Sequence, residues 1–294
     1  MIGSYLSEML FEAGYTIIHL SRKANPKAKF PAYAWNVQKN TIDLNAFEGV
    51  DVVIQLAGAG IADNRWTKQR KKEIINSRVE GTRLLYRSIE KLDKKPLICI
   101  HSSAVGYYGD RGSEELTESS LVGKGFMAEV CKEWEEASKS FEAIVPRNII
   151  VRTGVVLSTQ GGALEKILMT FPFRIASFFG TGQQYMPWIH IKDQCKMIKF
   201  FIENESTKGI YNGVAPNPVN NKTLTRAFVS AYPKKVVLMP APKIALKAIL
   251  GDMAAVIFNS NRVLPEKILK HGFRFEFADI KSAAEDLIQN KNDD

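Results

Sequence analysis

Apolar and polar positions along the chain alternate between helical and strand-like periods. Ile2 to Phe11 repeats apolar side chains at helical spacing, and Gly14 ends the run. Tyr15 to Leu20 predicts a strand over 16–20, closed by the basic tip Ser21-Arg22-Lys23. A short element follows around Tyr33 to Asn36. Asp51 to Leu56 is a second apolar run, ending in Ala57-Gly58-Ala59-Gly60. A long helical pattern covers Trp66 to Leu92, then a strand Leu97 to Ile100, a helix over about Lys124 to Phe141 and a strand Asn148 to Arg152. Strands this apolar, spaced by helices, predict a parallel sheet covered on both faces. Beyond 165 the pattern loosens. Phe171 to Phe179 is aromatic and apolar, Tyr185 to Ile191 predicts a strand, and Asp193 to Ile202 a helix. Two helical stretches follow Pro240, and the alternation Phe273-Arg274-Phe275-Glu276-Phe277 predicts a short strand. The fold class is α/β: a doubly wound parallel sheet with helices on both faces over about residues 1–165, with a smaller α/β lobe carrying the remainder, 166–294. Segments around 170–215 are expected to cross between the two.

In such sheets ligands bind beyond the carboxyl ends of the strands. That selects the residues just after Leu20, Leu56, Ile100 and Arg152. An acidic residue at the tip of the 16–20 strand would take the ribose 2′-hydroxyl of NAD. Arg22 with Ser21 instead suits a 2′-phosphate, and so NADP, through charge-assisted hydrogen bonds. The plain alternative is a basic surface turn. The small residues after Leu56, beginning Ala57-Gly58, let the backbone approach a flat ligand closely, as would any glycine loop. Ser102 to Asp110 sets hydroxyls at a strand tip and two tyrosines in a glycine-rich loop. Ser103 and Tyr107 there could polarise a carbonyl and donate a proton, and turn chemistry with aromatic packing explains them equally well. Trp188 and His190 share one face of a strand, as a structural pair or a substrate wall in preference to an acid–base group.

Composition changes this picture little. Among 294 residues, 40 basic and 31 acidic side chains give a net charge of +9, but the signs are interleaved, so no nucleic-acid partner is expected. The basic run Lys68 to Lys72 opens a helix and reads as a solvated face. Three cysteines without C-x-x-C spacing speak against a disulfide framework or a zinc site. No stretch has the length of a membrane helix and no signal peptide opens the chain, so the expected setting is the reducing cytoplasm with no membrane partner.

Taken together, several segments resemble one family. They are IGSYL at the start, LAGAGIADNRW (56–66), SRVEGTRLL (77–85), SSAVGYYGDRG from Ser102, GFMAEVCKEWE (125–135), VRTGVVLS with GGAL (151–164), GTGQQYMPWIHIKD (180–193) and the closing stretch 240–275. The chain resembles the atypical short-chain dehydrogenase/reductases grouped as the epimerase family, over essentially its whole length. The resemblance implies a Rossmann-type nucleotide domain over 1–165, a smaller C-terminal α/β substrate lobe over 166–294 with a family-specific segment over about 240–290, and NADP lying near Gly3, Ser21, Arg22, Leu56, Ala57, Gly58 and Arg78. It places Ser103 at the catalytic hydroxyl of the wider superfamily. Two departures stand out. Phe126 and Val130 occupy the positions of the superfamily's Tyr-x-x-x-Lys pair. Gly3 matches the last glycine of a G-x-x-G-x-x-G turn, so the first strand and most of that turn are expected to be missing. A gap or abnormal pairing between the 16–20 and 51–56 strands is then expected, with marginal stability or weak NADP binding. Two functions fit: an NADP-dependent oxidoreductase or epimerase-like enzyme acting on an unidentified small substrate, and a nucleotide-binding or redox-sensing protein without turnover. A defective product of a mis-set start is a third reading. The oligomeric state is left open.

Overall fold

The computed structural model describes residues 1–293. The first half runs α1 (Ile2–Glu12), β1 (His19–Ser21), β2 (Ala32–Asn36), β3 (Thr41–Ile42), β4 (Val52–Gln55), α2 (Lys68–Glu90), β5 (Ile98–Ala104), β6 (Glu115–Leu116), α3 (Phe126–Lys139) and β7 (Arg147–Thr153). The second runs β8 (Val155–Leu157), α4 (Ala163–Leu168), β9 (Ile175–Phe179), β10 (Trp188–His190), α5 (Ile191–Glu203), β11 (Gly209–Gly213), α6 (Asn221–Ala231) and β12 (Val237–Ala241). It closes with α7 (Lys243–Leu250), α8 (Ala255–Phe258), β13 (Arg262–Val263), α9 (Glu266–Lys270) and α10 (Ile280–Asp293). Local chemistry sets several of these boundaries. Gly14, at φ 90°, closes α1 in a conformation that costs a glycine little. The Thr67 hydroxyl accepts the Arg70 amide at the start of α2, and the Asn220 side chain accepts that of Thr223 at the start of α6.

Four parallel strands form the central sheet, in the order β11-β7-β5-β4. On one face Ile98, Ile100, Ile149 and Val151 pack against Leu6 and Leu10 of α1 and Ile198 and Phe201 of α5. On the other, Cys99 packs with Leu85 and Ile89 of α2, Phe141 and Val145. These two layers are the doubly wound arrangement the apolar runs require. Although α5 and β11 lie beyond residue 166, they complete this unit, so the chain crosses back as its 170–215 pattern suggested. A second core gathers Leu164, Leu168, Trp188, Phe228 and the α10 residues Ile280, Ala284 and Leu287, beside the parallel pairs β8–β10 and β9–β12.

One departure from the sequence pattern has a clear cause. Phe273 to Phe277 is not a strand. The buried Asp193 carboxylate accepts the amides of Glu276 and Phe277 at 2.8 and 2.9 Å, and Phe273 and Phe277 are buried. The alternation there serves a side-chain clamp in place of a ladder. The gap expected between the first two strands is present: β1 pairs with β2 in a separate three-stranded sheet, and no ladder joins β1 to β4 among the described residues. Hydrogen exchange reports this split. Strands β5 and β7, paired on both sides, should exchange at least about a hundredfold more slowly than β1. Equal protection would contradict the split.

Candidate functional site

The carboxyl ends of β1, β4 and β5 carry most of the residues singled out above. Ser21 ends β1; its hydroxyl donates to the Lys23 carbonyl at 2.9 Å and accepts the Lys23 amide, a local turn that leaves Arg22 exposed. Gly3, in the first turn of α1, has no side chain to hold off β4, and its nearest neighbour is the Leu56 side chain. Leu56 itself packs into the core against α1, so a ligand would meet its backbone.

The loop after β4 rests on Arg78. This guanidinium is buried, donates from Nη1 to the carbonyls of Ala59 and Ile74, and lies 5.2 Å from the Trp134 ring centroid. Its Nε has no hydrogen-bond partner. Burial lowers its pKa. Gly58 sits directly on it: a Cβ there would come within 3.1 Å of the Arg78 Cζ. The Ala57–Gly60 loop therefore lies over a buried cation, an arrangement that favours an anion or a strong acceptor beside it.

The end of β5 differs from the sequence expectation. Ser103 was expected to face the groove. Instead it is buried and its hydroxyl donates to Glu135 of α3 at 2.7 Å. Strand alternation explains this, because Cys99, His101 and Ser103 all point to the helix-α2/α3 face. Arg152 of β7, the register partner of Ser103, binds the same Glu135 through Nε and Nη2, both at 2.8 Å. Both side chains are 2% exposed. Arg152 Nη1 also donates to the Tyr108 hydroxyl at 3.0 Å, which donates to Asn212 at 2.7 Å. Burial pulls the Arg152 pKa down, but Glu135 and Tyr108 outweigh it and hold the guanidinium charged. Burial pushes the Tyr108 hydroxyl up to about 12. The Tyr107 ring centroid lies 3.5 Å from the Arg152 guanidinium carbon, and the side chain is half-buried.

Phe126 packs edge-on against Trp66 at the wall of a cavity of about 260 Å³, lined also by Lys71, Lys124, Asp252 and Asn259. A larger cavity of about 470 Å³ lies between Phe179, Tyr185, Phe258, Lys243 and Asp110. Trp188 and His190 line neither cavity. Trp188 is in the second core. His190 is stacked on Phe277, accepts the Lys192 amide at Nδ1, and contacts Asp286 through Nε2. Burial drops its pKa to about 4 against the opposing pull of Asp286. Both side chains are buried and held by packing and hydrogen bonds.

The sequence reading passed over the Glu135–Arg152 pair. Glu135 was detectable as a carboxylate on the apolar face of α3, in line with Cys131 and Ser138. Arg152 follows directly on the apolar run Ile149–Val151 and is buried with it. Lys71 and Lys124 carry no comparable signal. All three cysteines are free and buried, with thiols pushed up to about 12 by burial. Among the described residues no cluster of three metal-ligating side chains occurs, and no helix is long and apolar enough to cross a membrane.

The layered parallel sheet, with its loops gathered at the strand ends, defines a Rossmann-type α/β protein. The model described as the NAD dependent epimerase/dehydratase family matches residues 1–212, and a domain of unknown function matches 241–287. The chain belongs to the NAD-dependent epimerase/dehydratase family. It is 32% identical to the epimerase family protein YfhF of Bacillus subtilis, over 99% of this chain and 95% of that one. It is also similar to the crystal structure of the human epimerase family protein SDR39U1 with NADPH, at a TM-score of 0.87 and 28% identity, over 99% of this chain and 96% of that chain. The nucleoside-diphosphate sugar epimerase of Corynebacterium glutamicum matches with a TM-score of 0.78 and 30% identity, over 98% of this chain and 56% of that chain.

Proposed function

We propose that the protein is an NADP(H)-dependent oxidoreductase or epimerase-like enzyme acting on a small molecule. The nucleotide would lie across the ends of β1 and β4, with its adenosine phosphate at Ser21 and Arg22 and its backbone contacts along Leu56, Ala57 and Gly58, above Arg78. The observation that carries this reading is the exposed Arg22 at the end of β1, where a 2′-phosphate would lie. The human relative solved with NADPH supports the same cofactor. Three buried, free cysteines fit a reducing cytoplasm. Fluorescence titration of the protein with NADPH and NADH tests the proposal. NADPH should bind at least about tenfold more tightly, as a lost charge-assisted phosphate contact implies, and Arg22→Asp should abolish the difference. Equal affinities in the unaltered protein would overturn it.

For proton transfer, Tyr107 remains the better candidate of the two sequence choices. Ser103 is committed to Glu135, whereas no hydrogen bond occupies the Tyr107 hydroxyl among the described residues. Phe126 has no proton to give. Tyr107→Phe should lower turnover by about a hundredfold or more and change the NADPH dissociation constant by less than about twofold. Unchanged turnover would exclude Tyr107 as the acid.

A further inference from the structure

The outer face of the β9–β12 ribbon is apolar and unpartnered. Ala176 turns inward to the second core and Phe178 is buried on the same side, so their neighbours turn outward. Ile175 and Val237 are register partners on the outward face, with Met239 next along β12, and all three are exposed. Phe173, just before β9, is 77% exposed. The ribbon passes through Pro242 into α7, which buries no residue and leaves Ile244 85% exposed and Ile249 66% exposed. Isolated apolar side chains on a surface mean little, but a contiguous set with an unpartnered helix marks an interaction site.

The charges along this stretch of chain have one sign. No aspartate or glutamate occurs between Glu205 and Asp252, an interval that holds seven Lys and Arg residues, including Lys234, Lys235, Lys243 and Lys247. Lys234 and Lys235 lead into β12. Arg174 stands beside them, its Nη1 donating to the Lys235 carbonyl. A chain with interleaved charges overall thus keeps the β12–α7 segment free of acid where it is also apolar. A second copy meeting this patch about a two-fold axis would bring two basic patches, each with Arg174, Lys234 and Lys235, into one interface, which is unfavourable.

We propose that this face seats on an anionic lipid surface, with Phe173, Val237, Met239 and Ile244 entering the headgroup–acyl boundary and the lysines taking lipid phosphates. The complementarity is that of a peripheral protein, in which apolar insertion and basic attraction act together. Nothing in it depends on the nucleotide groove. The test is sedimentation of the full chain with phosphatidylcholine vesicles, with and without about 30 mol% phosphatidylglycerol, a content giving a strongly negative surface. Binding is expected only to the anionic vesicles and should fall steeply with salt. Lys234→Gln/Lys235→Gln should weaken it by about tenfold or more, and Phe173→Ser/Ile244→Ser should also release the protein. Every altered side chain is exposed, so melting temperatures should match the parent and show that the variants fold. Equal binding to neutral vesicles, no binding to anionic ones, or parental binding by either variant would overturn the proposal. So would light scattering that shows a dimer dissociated by Val237→Ser, since a second copy would then cover the face.

Discussion

Arg152→Met should lower the melting temperature by roughly 10 °C, and the paired change Glu135→Leu/Arg152→Met should recover most of the loss. The single change removes the partner that neutralises a carboxylate 2% exposed to solvent. Glu135 is left with the Ser103 hydroxyl alone, and the Tyr108 hydroxyl loses a donor. Breaking a buried pair in this way typically costs about 3–5 kcal/mol, whereas replacing both members with apolar groups is often neutral. Arg152→Lys should not rescue, because an ammonium cannot reproduce the two parallel bonds from Nε and Nη2. Thermal denaturation of the two singles and the double closes the cycle. Equal melting temperatures for parent and Arg152→Met would show that the network contributes nothing to stability. The same variants should also alter Tyr107, whose ring lies under the guanidinium.

Stability should fall by several kcal/mol between neutral pH and about pH 4.5, with buried histidines as the cause. Burial depresses His101 to about 3 and His190 to about 4. His101 sits among Gln55, which contacts its Nδ1 at 2.8 Å, Phe141 and Asn148, with no carboxylate to favour its charge. A base with a depressed folded pKa stays neutral in the fold while its unfolded counterpart takes up a proton. Its contribution is complete above about 6.5, is lost as the pH falls, and stops changing only at the folded value. Each such histidine gives a slope approaching about 1.4 kcal/mol per pH unit. Glu118 and Asp193 act in the opposite sense, because burial raises their folded pKa values and the fold then binds protons more readily than the unfolded chain as the pH drops into the carboxylate range. The histidine slope is therefore cleanest between about pH 6.5 and 5. Urea titrations across that range should show it, and His101→Leu should remove close to half. An unchanged slope in that variant would mean that His101 is not the group responsible.

The central sheet was legible because its strands are apolar runs and its helices repeat at helical spacing. β4, β5, β7, α2 and α3 lie within a few residues of their sequence limits. The strand-end positions of Ser21 and the Ala57–Gly60 loop were legible by counting alone. Three things were not. Phe273 to Phe277 alternates like a strand, but its backbone partners are the two oxygens of a side chain 80 residues earlier. The direction of Ser103 depends on where β5 begins, because a shift of one residue would turn the hydroxyl to the opposite face. The full burial of Trp188 and His190 leaves no local trace in the sequence. Here the partners that bury them, Phe277 and Asp286, lie some ninety residues away.

That distance also affects synthesis. Asp193 is fully buried, and its carboxylate is answered by amides at 276 and 277, while Asp286 answers His190 and Lys192. A ribosome that has just delivered α5 and β11 has made every strand of the central sheet, yet α5 still carries a carboxylate that the finished core will enclose. Until the last helix emerges, α5 has reason to keep that end in water and the α6 face has nothing to close it. At about 5–20 residues per second, the wait is several seconds. Over that interval the nascent chain depends on chaperones or on its own hydration, and the segment 276–286, more than the strands of the central sheet, sets when this core can close.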